Sequence, residues 1–237
     1  MSKKILLISS STVYGRGYLD HVEEEIRGFL GGVKEVLFVP FAQHDLNAYE
    51  ATAQKRFQKM GYLLKSIHHY DDMPQAAGSA EAIFIGGGNT FRLLKGLYDA
   101  RVLEQIHKRV EAGIPYIGSS AGSIVACPTL KTTKDMPVVQ PPSFDALRLV
   151  DFQISPHYLD PDPASTHMGE TQEERINQFL EENDRAVIGL REGTLLRIEN
   201  GGILLKGSTR ARIFRRGHAP VEKEPGLRLD EFLHAQN

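Results

Sequence analysis

The sequence predicts an α/β fold, a three-layer sandwich in which helices cover both faces of a mostly parallel β-sheet. Three observations support this prediction. Short apolar runs bounded by Gly, Pro, Ser or Asp recur along the chain, segments of helical periodicity separate them, and no linker, repeat or low-complexity tract interrupts the alternation. With 237 residues, 41% of them hydrophobic, the chain can bury one large core, so we expect a single domain over residues 1–237.

The apolar runs predict strands buried on both faces, as in a parallel sheet. They lie at residues 5–8, 36–41, 83–85, 116–117, 152–154 and 187–190. Between them, apolar residues recur about every 3.6 positions, which predicts amphipathic crossover helices. These helices are expected at residues 18–30, 49–60, 90–97, 102–112 and 170–182.

The pattern changes after Glu192. Strand-like runs at residues 194–198, 203–206 and 211–214 follow one another closely, with the turn signal Asn200-Gly201-Gly202 between the first two. This predicts an antiparallel meander at an edge of the sheet. From His218 onward, prolines and many charges predict a surface tail with one short helix.

Composition excludes several functional classes. The net charge of −2 and pI of about 6.5 argue against nucleic acid or an anionic membrane as a partner. Cys127 is the only cysteine, so neither a disulfide framework nor a multi-cysteine metal site is expected. We find no signal peptide and no membrane-spanning run, and we therefore expect a cytoplasmic protein, monomeric or homodimeric.

One predicted strand runs directly into Gly118-Ser119-Ser120-Ala121-Gly122, and a helix is expected from about Ala121. This is the G-x-S-x-G pattern of a nucleophile elbow, in which flanking glycines allow a sharp strand-to-helix turn that exposes the serine. The pattern therefore predicts Ser120 as a nucleophile. An ordinary Gly-Ser turn is the alternative interpretation.

A second glycine motif, Gly86-Gly87-Gly88 before Asn89-Thr90, also follows a strand and opens a helix. Bare backbone amides in such a loop can hydrogen bond a developing oxyanion. A phosphate-binding loop is the rival interpretation, but no Lys-Ser/Thr pair follows the glycines and the dinucleotide pattern G-x-G-x-x-G is absent.

A serine nucleophile requires a base, and His157 is the best candidate because it follows a predicted buried strand, at the sheet edge where α/β folds build their sites. His44 and His167, both predicted in loops, stay possible. The acid of a triad is less determined: Asp135 lies in a polar loop between nucleophile and base, and Glu192 follows the strand at residues 187–190. Either could be an ordinary surface carboxylate.

These motifs together resemble the peptidase E, or aspartyl dipeptidase, family of serine peptidases. The matching segments are Ile85-Gly86-Gly87-Gly88-Asn89-Thr90, Gly118-Ser119-Ser120-Ala121-Gly122, Ser155-Pro156-His157 and Gly189-Leu190-Arg191-Glu192-Gly193. The similarity covers nearly the whole chain. It implies a fold like the class I glutamine amidotransferase domain, cleavage of dipeptides with N-terminal aspartate, a cytoplasmic location, and no metal or other cofactor.

The resemblance also implies site residues. Ser120 would be the nucleophile, His157 the general base, and the Gly88 and Ala121 amides the oxyanion donors. For the acid the family points to positions corresponding to Asp135 and Glu192; we prefer Asp135 and keep Glu192 as the alternative.

The family's Gly-Glu-Thr-Arg motif, whose arginine binds the substrate aspartate, departs here to Gly169-Glu170-Thr171-Gln172. Gln172 has no charge, which weakens the preference for a carboxylate unless Arg175 takes over. Glu170 could bind the substrate ammonium group, or simply stabilise the first turn of a helix. With Asn89, these residues are the candidate substrate-binding set.

The leading hypothesis is thus a serine exopeptidase that cleaves short peptides, with Asp-Xaa dipeptides preferred. A broader peptidase or an esterase on the same triad is the alternative, because Gln172 replaces the family arginine. A glutaminase normally requires a nucleophilic cysteine, and Cys127 lies beyond the elbow. A ligand-binding domain that holds phosphate or nucleotide on the glycine loops is a third hypothesis.

Overall fold

The computed structural model describes residues 2–166 and 168–233. In these residues the strands are β1 (Lys4–Ile8), β2 (Glu35–Val39), β3 (Leu63–Ser66), β4 (Ile83–Ile85), β5 (Pro115–Ser119), β6 (Gln153–Pro156), β7 (Val187–Leu190), β8 (Thr194–Glu199), β9 (Gly202–Gly207), β10 (Ala211–Phe214) and β11 (Val221–Lys223). The helices are α1 (Glu23–Leu30), α2 (Leu46–Lys59), α3 (Met73–Ser79), α4 (Thr90–Asp99), α5 (Leu103–Glu111), α6 (Ala121–Val125), α7 (Gln172–Glu182) and α8 (Asp230–Leu233).

The larger sheet has the strand order β3-β2-β4-β5-β1-β8-β9. The first five of these strands are parallel, and β8 and β9 extend the sheet in antiparallel pairing. In the register of β1 with β5, Leu7 pairs with Gly118 and Ile8 with Ser119. The carboxyl ends of β1, β4 and β5 therefore meet at one edge, where the segments that follow them can form a site.

A smaller sheet has the order β11-β10-β7-β6. Strands β6 and β7 are parallel, with Ser155 opposite Gly189 and Pro156 opposite Leu190. Because both strands end at the same edge, the next residues of each, His157 and Arg191-Glu192, emerge side by side.

Alternating side chains of each strand enter opposite cores, as period-2 geometry requires. On β1, Leu6 and Ile8 join the cluster with α1 and α2, whereas Ile5 and Leu7 join the cluster with α3, α4, α5 and α6. The sheet is thus covered on both faces, which confirms the predicted three-layer α/β architecture. Helix α7 packs on the smaller sheet through Ile176 and Leu180.

Local sequence signals explain where the long helices begin. Asp45 caps α2 by accepting a hydrogen bond from the Ala48 amide, and Asn89 caps α4 by accepting one from the Arg92 amide. Helix α7 begins with a capping box, in which the Thr171 hydroxyl accepts from the Glu174 amide and the Glu174 carboxylate accepts from the Thr171 amide. Within the described residues, no helix has the length and apolar character needed to cross a bilayer.

The structure differs from the sequence prediction in several places, among them strand β11, which lies in the predicted surface tail and pairs with β10. The edge strand β3 and helix α3 were not predicted; β3 is only four residues long and alternates exposed and buried positions, so it lacks a continuous apolar run. The predicted helix at residues 18–30 is a 3-10 turn at Asp20–Val22 followed by α1. Strand β10 leaves the predicted meander and pairs with β7 in the smaller sheet.

Candidate active site

The turn between β5 and α6 places Ser120 in a backbone conformation that a serine rarely adopts, with φ 52° and ψ −109°. Backbone atoms pack so closely around this turn that the two flanking positions have no space for a side chain. A Cβ at Gly122 would lie 2.1 Å from the Ile85 carbonyl oxygen, and one at Gly118 would lie 2.5 Å from the Gly122 carbonyl oxygen. The glycines of the G-x-S-x-G pattern are therefore needed at both flanks.

The imidazole of His157 lies against this serine. Ser120 Oγ is 3.0 Å from His157 Nε2, and His157 Nδ1 is 2.9 Å from Glu192 Oε1. A carboxylate can only accept, so Nδ1 carries the proton in this pair and Nε2 of the neutral ring is left as the acceptor for the serine hydroxyl. This tautomer is the one that a general base requires.

The second candidate acid, Asp135, does not lie at the imidazole. Its Oδ2 accepts hydrogen bonds from the Thr90 amide at 2.7 Å and the Thr90 hydroxyl at 2.6 Å. It thereby joins the loop of residues 131–136 to the first turn of α4. The structure differs here from our preference for Asp135 over Glu192, because the carboxylate that contacts His157 is Glu192.

The backbone of His157, with φ 51°, is held from two sides. Its amide donates to Ser9 Oγ at 3.0 Å, and its carbonyl accepts from Lys134 Nζ at 3.0 Å and from Gln172 Nε2 at 3.2 Å. Sequence reasoning missed the roles of Ser9 and Lys134, because neither lies in a recognisable motif. Ser9, directly after β1, also donates to the Leu190 carbonyl at 2.8 Å and so joins the two sheets.

Arg191 holds together the segments that carry the candidate base, His157, and the candidate acid, Glu192. Its guanidinium forms a bidentate pair with Asp160, at 2.9 and 2.6 Å, and two further bonds to Glu222 at 2.9 Å. It also lies 5.4 Å from the centre of the Tyr158 ring. Because Tyr158 and Asp160 follow His157 and Arg191 precedes Glu192, these contacts connect the two loops.

The glycine loop after β4 passes close to Ser120. A Cβ at Gly87 would lie 3.1 Å from the Ser120 Cβ, and Gly88 has φ 139°, a conformation available to glycine. The Ser120 amide donates to the Ile8 carbonyl at 2.9 Å, so it is not free for an oxyanion. Ala121 lies in the first turn of α6, where backbone amides have no hydrogen-bond partner within the helix. Its amide can therefore bind an oxyanion.

These groups open into a cleft of about 500 Å³. Its walls comprise Ser120 and His157 together with Ser11, Tyr18, Gln43, Tyr49, Thr52, Gly87, Gly88 and Asp135. The Tyr18 hydroxyl donates to the Tyr49 hydroxyl at 3.3 Å. The two tyrosines were not found from the sequence, since they lie on segments that pass the cleft without any motif.

The candidate substrate-binding residues all have contacts within the chain. Asn89 Nδ2 donates to the Met136 carbonyl at 2.8 Å. Gln172 Oε1 accepts from the Leu159 amide at 3.1 Å, so both ends of this amide hold the His157 loop. Glu170 lies 3.5 Å from Arg175 in an ion pair.

Of the alternative bases and nucleophiles, His44 is exposed on the surface and His167 lies outside the described residues. Cys127 is fully buried, and burial raises the pKa of its thiol, which disfavours the reactive thiolate.

Comparisons with known proteins identify relatives of this chain. The sequence profile of Peptidase family S51 matches residues 5–206. The chain is 49% identical over 229 residues to "Peptidase E" of Streptomyces coelicolor, covering 97% of this chain and 94% of that protein. It is 44% identical over 227 residues to "Probable alpha-aspartyl dipeptidase" of Drosophila melanogaster, covering 94% and 95% of the two chains.

Among solved structures, a putative peptidase E from Listeria monocytogenes has a TM-score of 0.68 at 23% identity and covers 88% of this chain and 100% of its own. A peptidase from an acI-B1 actinobacterium has a TM-score of 0.71 at 16% identity, with 96% of both chains covered. At these identities the two structures support the fold. Taken with the family match and the sequence relatives, they lead to one conclusion: the chain belongs to Peptidase family S51 and is a serine peptidase.

Proposed function

We propose that this peptidase cleaves dipeptides through an acyl-enzyme on Ser120, with His157 as general base and Glu192 as the carboxylate that orients it. The observation that carries the proposal is the continuous hydrogen-bonded chain from Ser120 Oγ through both imidazole nitrogens to Glu192 Oε1, at 3.0 and 2.9 Å. Each bond lies within the range over which a serine, a base and an orienting acid act together.

The proposed cycle uses these groups in sequence. Ser120 Oγ attacks the scissile carbonyl carbon while its proton moves to His157 Nε2. The amides of Gly88 and Ala121 then stabilise the negative oxygen of the tetrahedral intermediate, and each such donor contributes on the order of 3 kcal/mol to transition-state stabilisation. The His157 imidazolium, stabilised by Glu192, protonates the leaving amine. A water molecule, deprotonated by the same nitrogen, hydrolyses the ester.

Replacing the nucleophile tests the mechanism. Ser120→Ala should lower kcat by roughly three or more orders of magnitude, because the remaining groups cannot form the acyl-enzyme. Circular dichroism and thermal unfolding should stay close to those of the wild type, which separates lost chemistry from lost folding. Unchanged hydrolysis in this variant would refute the assignment of Ser120.

We further propose that substrates with an N-terminal aspartate are preferred, as the name of the Drosophila relative suggests for that protein. Gln172 carries no charge, and its amide already bonds the His157 carbonyl and the Leu159 amide. Gln172 lines a small cavity of about 50 Å³ together with three basic residues, Lys131, Lys134 and Arg175. Burial lowers the pKa of the Lys134 ammonium group, and an incoming carboxylate would favour its charged form.

A dipeptide panel tests this preference. We expect Asp-Leu to be cleaved with a higher kcat/KM than Asn-Leu, and Arg175→Gln to reduce that ratio by roughly tenfold or more, the value of one lost charge-assisted hydrogen bond. Arg185→Gln is the matched control, because Arg185 forms an exposed pair with Asp151. If the wild type cleaves dipeptides with N-terminal Asp, Asn and apolar residues equally well, the protein is a peptidase of broader specificity. If it cleaves p-nitrophenyl esters faster than dipeptides, it is an esterase.

A further inference from the structure

A second group of chemically competent side chains lies between α2 and the 3-10 turn Ile67–His69, outside the residues that form the catalytic cleft. Glu50 Oε2 is 2.6 Å from His69 Nε2 and 3.8 Å from His68 Nε2. The three candidate ligand atoms all lie within 4.8 Å of one another. The catalytic mechanism uses none of them.

The spacing of these atoms suits a divalent transition metal. In a tetrahedral zinc site, bonds of about 2.0–2.1 Å to nitrogen and oxygen place neighbouring ligand atoms about 3.3 Å apart. The distances of 2.6 and 3.8 Å bracket this value, so small side-chain movements suffice. The Glu50 and His68 side chains are 14% and 12% exposed, whereas that of His69 is 55% exposed, which leaves one open side for the ion to reach.

Neighbouring side chains orient the inner histidine. Ser66 Oγ, itself buried, lies 2.7 Å from His68 Nδ1, and a hydroxyl can accept as well as donate. If Nδ1 donates to Ser66, the Nε2 lone pair is left for a metal, the arrangement usual for metal-bound histidines. Asn47 Oδ1 lies 3.0 Å from the same Nε2 and can only accept, so this contact needs a proton on Nε2. Zinc would displace that proton, and Asn47 Oδ1 would then be a fourth oxygen in place of water.

We propose that Glu50, His68 and His69 bind Zn²⁺, with Asn47 Oδ1 or a water molecule as the fourth ligand. Nitrogen and carboxylate ligands together suit zinc better than the all-oxygen cations Mg²⁺ and Ca²⁺. The ion would join α2 to the turn that follows the edge strand β3. Because α2 also carries Tyr49, part of the cleft wall, the site would stabilise a helix that the active site uses.

Zinc titration of the full chain, first treated with a chelator and read by competition with a chromophoric chelator, tests the proposal. We expect one zinc per chain at this site, and we expect Glu50→Gln and His69→Gln each to weaken it by at least tenfold. His218→Gln removes an exposed histidine elsewhere and should leave the affinity unchanged. His157→Gln identifies any zinc held by the catalytic imidazole and should also retain the site.

Two further measurements distinguish a zinc site from an ordinary Glu–His hydrogen bond. Ser66→Ala should lower the zinc affinity by roughly 10–100-fold, because the ring loses its orienting partner. Zinc should raise the Tm of the wild type and not that of His69→Gln, since only a ligand bound to the folded state stabilises it. Equal affinity in His69→Gln and His218→Gln, or loss of the zinc in His157→Gln, would overturn the proposal.

Discussion

Ser120 illustrates how a single residue can combine strain with reactivity. Its positive φ costs on the order of 1–3 kcal/mol, in a turn where the flanking glycines pack against backbone atoms with no space for a Cβ. The result is a hydroxyl that meets His157 Nε2 while its own amide is bound to Ile8. Of the two candidate acids, Glu192 contacts the imidazole and Asp135 binds Thr90 instead.

Exchanging each acid for its amide distinguishes Glu192 from Asp135. Glu192→Gln should lower kcat by roughly 10²–10⁴-fold, because an amide can donate to Nδ1 and so stabilise the wrong tautomer, and because the imidazolium loses its counter-charge. Asp135→Asn keeps an acceptor oxygen for the Thr90 amide and should keep kcat within about tenfold. Steady-state kinetics of both variants check this, and a larger loss in Asp135→Asn would restore Asp135 as the acid.

Elements, rather than residues, set the close approach of the elbow to the glycine loop. Helix α6 begins directly at Ala121, and its Gly122 faces the end of β4 with no space for a methyl group. Strands β6 and β7 likewise bring His157 and Glu192 together, because in their parallel register both strands end at one edge.

A glycine-to-alanine pair tests this approach. Gly122→Ala should lower the free energy of unfolding by about 1–3 kcal/mol or more, since its Cβ would lie 2.1 Å from the Ile85 carbonyl oxygen. Gly32→Ala is the control, because no atom lies within 4 Å of its added Cβ. Urea unfolding measures both variants; similar midpoints would contradict the close packing of α6 on β4.

At the scale of the whole molecule, the candidate site joins two sheets. Ser120 follows a strand of the larger sheet, and His157 and Glu192 follow strands of the smaller one. Ser9 connects the sheets at this point, and the ion pairs of Arg191 hold the loops of the smaller sheet together. Catalytic geometry therefore depends on how the sheets are held against each other.

The Arg191 network should make stability depend on acid pH. Hydrogen bonds from Arg191 lower the pKa of Asp160; burial acts to raise the pKa of Glu222, but bonds from Arg191 and Arg212 outweigh it and lower that pKa too. At acid pH the unfolded chain therefore binds more protons than the folded chain at these two carboxyl groups. The stabilisation is present above the ordinary pKa values of Asp and Glu, about 3.9 and 4.3. It is lost as the pH falls through the lower pKa values of the folded state.

Urea midpoints measured from pH 6 down to about pH 3 check this expectation. In Arg191→Gln the acid-dependent loss of stability should be shallower than in the wild type, because the two carboxyl groups lose the partner that lowers their pKa. Arg185→Gln, which removes an exposed ion pair, should retain the wild-type slope. The same slope in all three proteins would contradict a role for this network.

Much of the molecule was predictable from the sequence. Continuous apolar runs indicate strands that are buried on both faces, as in a parallel sheet. The parallel core and the fold class could therefore be predicted from local patterns. The Gly-x-Ser-x-Gly segment predicts a sharp turn between a strand and a helix. The position of His157 after a buried strand predicts that it lies at the carboxyl edge of the sheet, where α/β folds build their sites. Strand β3 could not be predicted, because this edge strand is short and has no continuous apolar run.

Only the tertiary structure decided which carboxylate meets the imidazole and where the last strands pair. Asp135 is 22 residues before His157 and Glu192 is 35 after it; neither separation determines distance in space. The parallel pairing of β6 with β7 brings Glu192 to Nδ1, while the start of α4 binds Asp135. The local sequence determines turn geometry and the spacing of buried residues along each strand and helix. Contacts between distant segments depend on which strands pair, and no single segment specifies that pairing.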